Sequence, residues 1–143
     1  MLERVKLSAA DDFIVLAKDM HARSRFAGWN FREDKVRALL SSDDVYAATW
    51  RSAAGIRGLF IGVIYPELWT DAKVACDVAL YVSGANKGFA AKRLVESFEA
   101  WARERGASEI RMGITAGIND DGADRFYEGM DYRDGGRLKV KEV

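Results

Sequence analysis

The chain has 143 residues, in which 22 lysine and arginine side chains balance 22 aspartates and glutamates. This length fits one hydrophobic core, and we expect a single domain over residues 1–143. The zero net charge excludes the broad positive field on which nucleic-acid binding and polybasic membrane attachment depend. One cysteine and one histidine exclude an internal disulfide and a multi-histidine metal site, and a cytoplasmic location is the default expectation.

The start of the chain predicts a short strand and two helices. Met1 to Leu7 alternates enough for an opening strand. Ser8, with Asp11 three residues later, is typical of a helix N-cap. Apolar residues at helical spacing then predict a first helix from about Ala9 to Arg23. A second, shorter helix follows, with an apolar side formed by Val36, Leu39 and Leu40.

The middle of the chain predicts an antiparallel meander followed by a long helix. The helix begins at about Gly88, where the apolar period changes to 3.6, and Gly106 is the residue expected just past its end. The three strands before it are predicted over Val45 to Arg51, Ile56 to Tyr65 and Lys73 to Val82.

The last third predicts a strand, a helix and a closing hairpin. Ile110, Met112 and Ile114 alternate as a buried strand, Asn119 to Asp121 begins the helix, and the hairpin involves Tyr132 and Leu138 to Val140. The whole order is β-α-α-β-β-β-α-β-α-β-β. It predicts an α/β fold whose mixed, largely antiparallel central sheet is flanked by helices, with one parallel crossover around the long helix.

The junction between the third meander strand and the long helix is the most informative stretch. The strand runs through a glycine-containing turn into the helix, whose first turn carries free N–H groups and the positive end of the dipole. Lys87, Lys92 and Arg93 add positive charge nearby. Small residues that would let phosphates approach the backbone are Gly84, Ala85, Gly88, Ala90 and Ala91. An ordinary connection with solvated lysines gives the same pattern.

The order of elements and two motifs resemble the GNAT superfamily of N-acetyltransferases over essentially the whole chain. The family's pyrophosphate loop, Gln/Arg-x-x-Gly-x-Gly/Ala, is similar to the segment from Ala85 to Ala90. Gly88 and Ala90 match, and Ala85 departs from the usual glutamine or arginine. A later signature, Asn-x-x-Ala-x-x-Phe-Tyr-Glu-Lys-x-Gly-Phe/Tyr, resembles Asp120 to Tyr132. Its matching residues are Ala123, Phe126, Tyr127, Glu128 and Tyr132, and Asp120 and Asp131 replace an asparagine and a glycine.

The resemblance implies an N-acetyltransferase that moves the acetyl group of acetyl-CoA to a primary amine of a small molecule or protein, by direct attack in a ternary complex. Acetyl-CoA is then the co-substrate. It would be held by the backbone of the loop and by a splay between the fourth and fifth strands, as an added strand is held in a sheet. The cofactor-binding residues expected on this basis are Leu80, Val82, Asn86, Lys87, Gly88, Phe89, Ala90, Ala91, Lys92 and Tyr127.

Two residues are candidates for catalysis. The resemblance implies that Tyr127 is the general acid, because a phenol with its ordinary pKa stays protonated at neutral pH; packing on the apolar face of its helix is the alternative. Asp77 is the candidate base, and strand alternation places it on one face with Ala79 and Tyr81. It needs burial to raise its pKa, and a solvated aspartate or a water chain is the alternative. The oxyanion donor implied by the fold is a strand N–H near Val82.

The remaining chemistry-bearing residues have ordinary explanations beside the functional ones. Phe26, Trp29, Phe31 and Trp69 are the candidate walls of an acceptor pocket, or else simple core and loop anchors. His21 is expected as a half-buried structural imidazole, and Cys76 as a small buried hydrophobe.

A second function from a different class is a binding module that keeps the fold and grips a protein partner with little or no catalysis. The departures at Ala85, Asp120 and Asp131 motivate it. Compact versions of this fold also occur in bacteriophages, where modifying or binding host proteins in the host cytoplasm is an expectation from the family. The family further implies a possible homodimer through the C-terminal strands. Nothing indicates a nucleic-acid or membrane partner.

Overall fold

The computed structural model describes residues 1–6 and 10–143, over which the chain forms five strands and four helices. The strands are β1 (Leu2–Arg4), β2 (Val45–Ser52), β3 (Gly55–Pro66), β4 (Lys73–Val82) and β5 (Ala107–Arg111). The helices are α1 (Asp11–Arg23), α2 (Glu33–Leu40), α3 (Lys87–Glu104) and α4 (Asp120–Glu128).

One sheet contains all five strands, in the order β1-β2-β3-β4-β5. The first three pairings are antiparallel, and β5 lies parallel to β4 after the α3 crossover. The α/β class, the mixed and largely antiparallel sheet and the bounds of β4 are therefore confirmed. The predicted meander strands and the long helix agree with the observed elements to within one or two residues at each end.

Helices cover both faces of the sheet and create two hydrophobic cores. On one face, α3 places Leu94, Val95 and Phe98 at full burial against strand residues such as Phe60, and α4 adds Tyr127. On the other face, Phe13 of α1 packs against inward-facing residues of β3 and β4. The apolar stripe of α3, at helical spacing, is long enough to span the sheet and fixes this helix beside β2 to β5.

The predicted N-cap at Ser8, the end of the opening strand at Leu7 and the helix start at Ala9 lie outside the described residues. The described part of the first helix begins at Asp11. Asp11 and Asp12 occupy its first turn, where negative charge is favourable to the helix dipole.

The predicted closing hairpin is wrong, since no strand follows β5 within the described residues. Leu138 and Val140 alternate with lysines as a strand would, but they are 66% and 60% exposed. A strand forms only where a neighbouring strand completes its hydrogen bonds and covers its apolar side. β5 is also shorter than predicted, because Met112 and Ile114 lie beyond its last paired residue.

A bulge in β4 overturns the predicted face of Asp77. Ile61 of β3 lies opposite Ala79, but the next residue, Gly62, lies opposite Asp77, so Val78 is the extra residue. The side-chain alternation reverses at this point. Asp77 therefore faces α3 and α4, whereas Ala79 packs in the core beneath α1. Strand periodicity alone cannot show such an insertion.

No helix within residues 1–6 and 10–143 combines the length and apolar character needed to cross a membrane.

Gly62 should be the position of β3 least able to accept a side chain. A Cβ built there would lie 2.7 Å from Phe98 Cζ and 2.9 Å from Phe60 Cε1. We expect Gly62→Ala to lower the free energy of unfolding by about 1–3 kcal/mol through overpacking, measured by urea denaturation. Gly28→Ala is the matched control, because nothing lies within 4 Å of its Cβ position. Equal stability of the two variants would contradict the packing described.

Candidate active site

A cleft opens where β4 and β5 part. Their pairing ends at Cys76 opposite Arg111. Beyond this pair β4 continues to Val82, while β5 ends at Arg111 and the chain after it is no longer paired with β4. The cleft has a volume of ≈ 390 Å³. Its walls include Asp77–Val82 of β4, Lys87, Gly88 and Ala91 of α3, Gly113–Ala116 after β5, and Ala123, Phe126 and Tyr127 of α4.

Asp77 lies at the closed end of this cleft, one residue beyond the last β4–β5 pair. Its Oδ1 accepts a hydrogen bond of 2.8 Å from the backbone N–H of Gly113. Burial raises the pKa of this carboxyl above its ordinary value, and the hydrogen bond opposes part of the rise. A carboxylate with a raised pKa is a better proton acceptor than a solvated one, which suits Asp77 to general base chemistry.

Tyr127 shares the cleft with Asp77. Its side chain is 6% exposed and packs edge-on against Phe126 and Tyr132, with ring centroids 5.3 and 5.6 Å apart. Burial, followed by the negative charge of Asp77, raises the pKa of its phenol. The phenol therefore stays protonated at neutral pH and can donate a proton into the cleft. Tyr127 belongs to the hydrophobic core and also lines the cleft. Its position is therefore consistent with packing and with a role as the acid.

The first turn of α3 forms the other end of the cleft. Asn86, the residue before the helix, has a left-handed backbone (φ 56°), and its side chain caps no N–H group. The first-turn N–H groups thus keep their capacity to bind an anion. No atom lies within 4 Å of a Cβ built on Gly88, which lines the cleft. The backbone here fits a close phosphate.

The structure gathers some of the predicted cofactor-binding residues and separates others. Leu80, Val82, Lys87, Gly88, Ala91 and Tyr127 line the cleft. Asn86, Phe89, Ala90 and Lys92 do not line it, and Ala90 is buried in the core. Lys92 and Arg93, expected to attract phosphate, both lie beside Glu96, at 3.8 and 3.1 Å. Their charge is partly neutralised, which leaves Lys87 as the lysine that lines the cleft.

The aromatic segment, residues 24–32 between α1 and α2, is hydrogen-bonded to the chain that follows β5. The backbone N–H of Arg25 donates to the Ala116 carbonyl at 2.9 Å, and its Nε donates to the Thr115 carbonyl at 2.6 Å. Phe26 and Trp29 then pack together with centroids 5.1 Å apart. This contact places the segment beside the α1 side of the cleft.

The predicted acceptor residues are therefore only partly brought together. Phe31 packs against His21 with ring centroids 5.5 Å apart. Trp69 lies in the β3–β4 connection with 85% of its surface exposed. No ring contact joins it to the other three aromatic residues within the described chain.

His21 and Cys76 have the structural surroundings expected of them. His21 is half-buried, and its Nε2 lies 2.7 Å from the Trp29 carbonyl, so the imidazole braces the aromatic segment. Cys76 is half-buried at the last β4–β5 pair. Burial raises the pKa of its thiol, which keeps the sulfur in the poorly nucleophilic protonated form.

Sequence reasoning missed the α1 side of the cleft. Met20 and Tyr81 line it, and the Tyr81 hydroxyl donates to Asp19 Oδ2 at 2.6 Å. It also missed Val78, whose bulge turns β4 within the cleft. The sequence carries no local signal for the bulge. Asp19 and Tyr81 are 62 residues apart, so their contact arises only from the packing of α1 on the sheet.

Two departures from the family signature have local explanations. Asp131 follows α4 with a left-handed backbone (φ 66°), the conformation for which glycine is ordinarily preferred. Aspartate is among the side chains that tolerate it. At the start of α4, Asn119 is the N-cap, and its side chain accepts a hydrogen bond from Gly122 N–H at 3.2 Å. Asp120 instead accepts from the Gly117 N–H at 3.2 Å.

Neither family models nor curated protein sequences match this sequence, but solved structures match the fold over the whole chain. An aminoglycoside acetyltransferase from an uncultured soil metagenomic sample, in complex with trehalose, has a TM-score of 0.78 at 20% identity, covering 100% of this chain and 94% of that one. The ribosomal-protein-alanine N-acetyltransferase of Brucella melitensis biovar Abortus 2308 has a TM-score of 0.75 at 19% identity, with coverages of 100% and 99%.

A third structure, the aminoglycoside 6'-N-acetyltransferase AAC(6')-Ih of Acinetobacter baumannii, has a TM-score of 0.75 at 14% identity, covering 100% of this chain and 97% of that one. The chain therefore has the fold of these acetyltransferases. This is the GNAT fold, which the sequence motifs had indicated.

Asp77→Asn should separate the stability of the site from its chemistry. The amide oxygen keeps an acceptor for Gly113 N–H. Because burial raises the folded-state pKa of Asp77, the wild type loses stability as the pH rises through that pKa, and the variant does not. We expect the variant to have the higher free energy of unfolding at about pH 7.5, with the difference shrinking below about pH 3.5, where the carboxyl is protonated in both states. Urea denaturation at both pH values measures this; a less stable variant at the higher pH would contradict the burial.

Gly88→Leu should block the cleft without disturbing the fold. The open space around its Cβ position predicts a thermal unfolding midpoint within about 3 °C of the wild type, whereas the side chain fills the space beside the α3 N-terminus. The family resemblance implies that this cleft holds acetyl-CoA; on that expectation its binding, measured by calorimetry, should fall by at least about 100-fold. Gly135→Leu, also with nothing within 4 Å of its Cβ position, is the matched control outside this cleft. Retained affinity in the Gly88 variant would mean that this turn does not hold the ligand.

Proposed function

We propose that this chain is an N-acetyltransferase that transfers the acetyl group of acetyl-CoA to a primary amine by direct attack in a ternary complex. The observation that carries the proposal is the cleft between the parted ends of β4 and β5. It joins a bare helix N-terminus at one end to a half-buried carboxyl and a buried phenol at the other. The similar acetyltransferase folds support the same activity.

The two ends of the cleft suit the two ends of a CoA thioester. At α3, the N–H groups of the first turn, the bare backbone at Gly88 and the charge of Lys87 suit a pyrophosphate. Between Leu80 and the segment after β5, two parted stretches of backbone can hold an extended amide-containing arm, as sheets hold an added strand. These residues position the thioester, and acetyl-CoA supplies the activated acetyl group.

The buried end of the cleft supplies the proton transfers. Asp77 would accept the proton of the attacking amine, directly or through one water, and Tyr127 would donate a proton to the departing thiolate. Val78, the extra residue at the bulge, lines the cleft, and its backbone N–H would donate to the developing oxyanion. This is a better donor candidate than an N–H near Val82, because Val82 lies in register with Gly58 within the ladder.

The acceptor would enter from the α1 side, past Met20 and the aromatic segment. Phe26, Trp29 and Phe31 can pack against the carbon skeleton of an amine, and Arg25 holds that segment at the cleft. The similar structures include aminoglycoside acetyltransferases and a ribosomal-protein-alanine acetyltransferase. Both a small polyamine and a protein amino group therefore belong in the acceptor panel.

Tyr127→Phe tests the function and the acid together. Thiol release from acetyl-CoA is followed with aminoglycosides, polyamines and lysine peptides as acceptors, and acetyl-CoA affinity is measured by calorimetry. We expect kcat about 100-fold below the wild type, with affinity within about twofold, because the phenyl ring keeps the packing and lacks only the hydroxyl group that donates the proton. Turnover equal to the wild type would refute the acid role. Binding of acetyl-CoA without thiol release for any acceptor would instead support the protein-binding module.

A further inference from the structure

The segment after β5, residues 112–117, has a cavity on each side. Gly113, Ile114 and Thr115 line the cleft on the β4 side, and the same residues line a second cavity of ≈ 880 Å³ toward the C-terminal residues. The pairing with β4 ends at Arg111. The position of this wall of the cleft therefore depends on individual hydrogen bonds and not on a strand ladder.

Arg25, in the aromatic segment, makes two of these hydrogen bonds. Its backbone N–H donates to the Ala116 carbonyl at 2.9 Å, and its Nε donates to the Thr115 carbonyl at 2.6 Å. Nearer β5, the Asp77 carboxylate of β4 accepts from the Gly113 N–H. The segment after β5 is thus held by β4 at one end and by the aromatic segment at the other.

The end of this segment allows Arg25 to approach closely. Gly117 has φ +71°, a conformation that favours glycine, and a Cβ built there would lie 3.3 Å from Arg25 Cβ. A side chain at this position would crowd the arginine that binds the neighbouring carbonyl groups. The Gly117 N–H donates to Asp120 Oδ1 at 3.2 Å, which holds the turn against the start of α4. The backbone of this turn therefore matches the arginine in shape.

The Arg25 guanidinium also contacts the aromatic rings of its own segment. Its Cζ lies 4.5 Å from the centroid of the Phe26 ring, and that ring lies 5.1 Å from the Trp29 ring. Within the part of the chain that the structure describes, Arg25 forms no ion pair, unlike Arg23 and Arg32. Its side chain instead joins one wall of the cleft to the rings that we propose to bind the acceptor.

We propose that Arg25 is a positioning residue that couples the two substrate sites of the acetyltransferase. Acetyl-CoA between β4 and the segment after β5 fixes that segment, and Arg25 transmits this order to the aromatic segment. The acceptor then loses less conformational entropy on binding, and each ligand strengthens the binding of the other by the same factor. This inference rests on the proposed function and adds to it, because Arg25 does not itself line the cleft.

Hydrogen exchange tests the coupling without an acceptor. In the wild type, saturating acetyl-CoA should slow exchange of the backbone amides of residues 24–32 about fivefold, because the segment is held more firmly. Arg25→Met keeps a long side chain and loses the guanidinium, and the slowing should fall below about twofold. Arg25→Lys, which keeps a donor for the Thr115 carbonyl, should restore most of it. Arg32→Met is the matched control, because Arg32 pairs with Asp34 nearby in the chain, and should behave as the wild type.

Calorimetry measures the coupling factor itself. CoA without an acetyl group fills the same cleft and forms a ternary complex that cannot react. In the wild type, saturating CoA should tighten binding of the acceptor that is turned over fastest in the panel above about tenfold, and this acceptor should tighten CoA binding equally. Arg25→Met should reduce both effects to within about twofold, and Arg25→Lys should keep most of each. A loss of stability alone would not change this factor.

The outcomes separate this inference from the proposed function. If the wild type binds acetyl-CoA and exchange of residues 24–32 does not slow, the coupling is wrong and the acetyltransferase proposal stands. Slowing that persists in Arg25→Met, or that is lost equally in Arg32→Met, would also overturn it, because the coupling would then not depend on Arg25. If the wild type does not bind acetyl-CoA, the proposed function fails and this inference fails with it. Circular dichroism melts of each variant exclude unfolding as the cause.

Discussion

The separation of β4 from β5 is the constraint on which the rest of the site depends. Two parallel strands normally pair along their common length, and here the pairing ends after four registered positions. Asp77 occupies the next position, and its carboxylate takes the Gly113 N–H that a continuing ladder would engage with backbone. The β4 bulge reverses the side-chain alternation immediately afterwards. The Asp77 side chain thus replaces the backbone hydrogen bond of the β4–β5 ladder at the point where the cleft begins.

The same arrangement couples stability to chemistry. The surroundings of Asp77 and Tyr127 raise the pKa of both side chains. Desolvation is the first cause in each case, because a partly dry site penalises the charged form. A fold selected for stability alone would place apolar side chains at these positions. Keeping a carboxyl and a phenol together in one cleft makes sense for proton transfer, since the ordinary pKa values of the two groups lie far apart and one can accept a proton while the other donates one.

The sequence predicted the elements well because long, regular patterns determine them. The apolar stripe of α3 and the uninterrupted run of β4 left few alternatives. Tyr127 and Gly88, the residues that match the two family motifs, lie in one cleft. The errors come from features that depend on neighbours. A one-residue bulge at Val78 reversed the face of Asp77. The alternation around Leu138 indicated a strand, but strand formation also requires a partner, which local patterns do not reveal.

Charge shows the same limit of local reasoning. Lys92 and Arg93 follow the helix N-terminus in sequence, which predicts positive charge for a phosphate there. Glu96, one turn later, pairs with both and partly neutralises that charge. Arg57 is about thirty residues away from the turn before α3, yet packing of the meander brings its guanidinium against that turn without a carboxylate partner in the described chain. The electrostatic field at the turn before α3 therefore depends on which charged side chains remain unpaired after folding. A chain with zero net charge can still present a positively charged site.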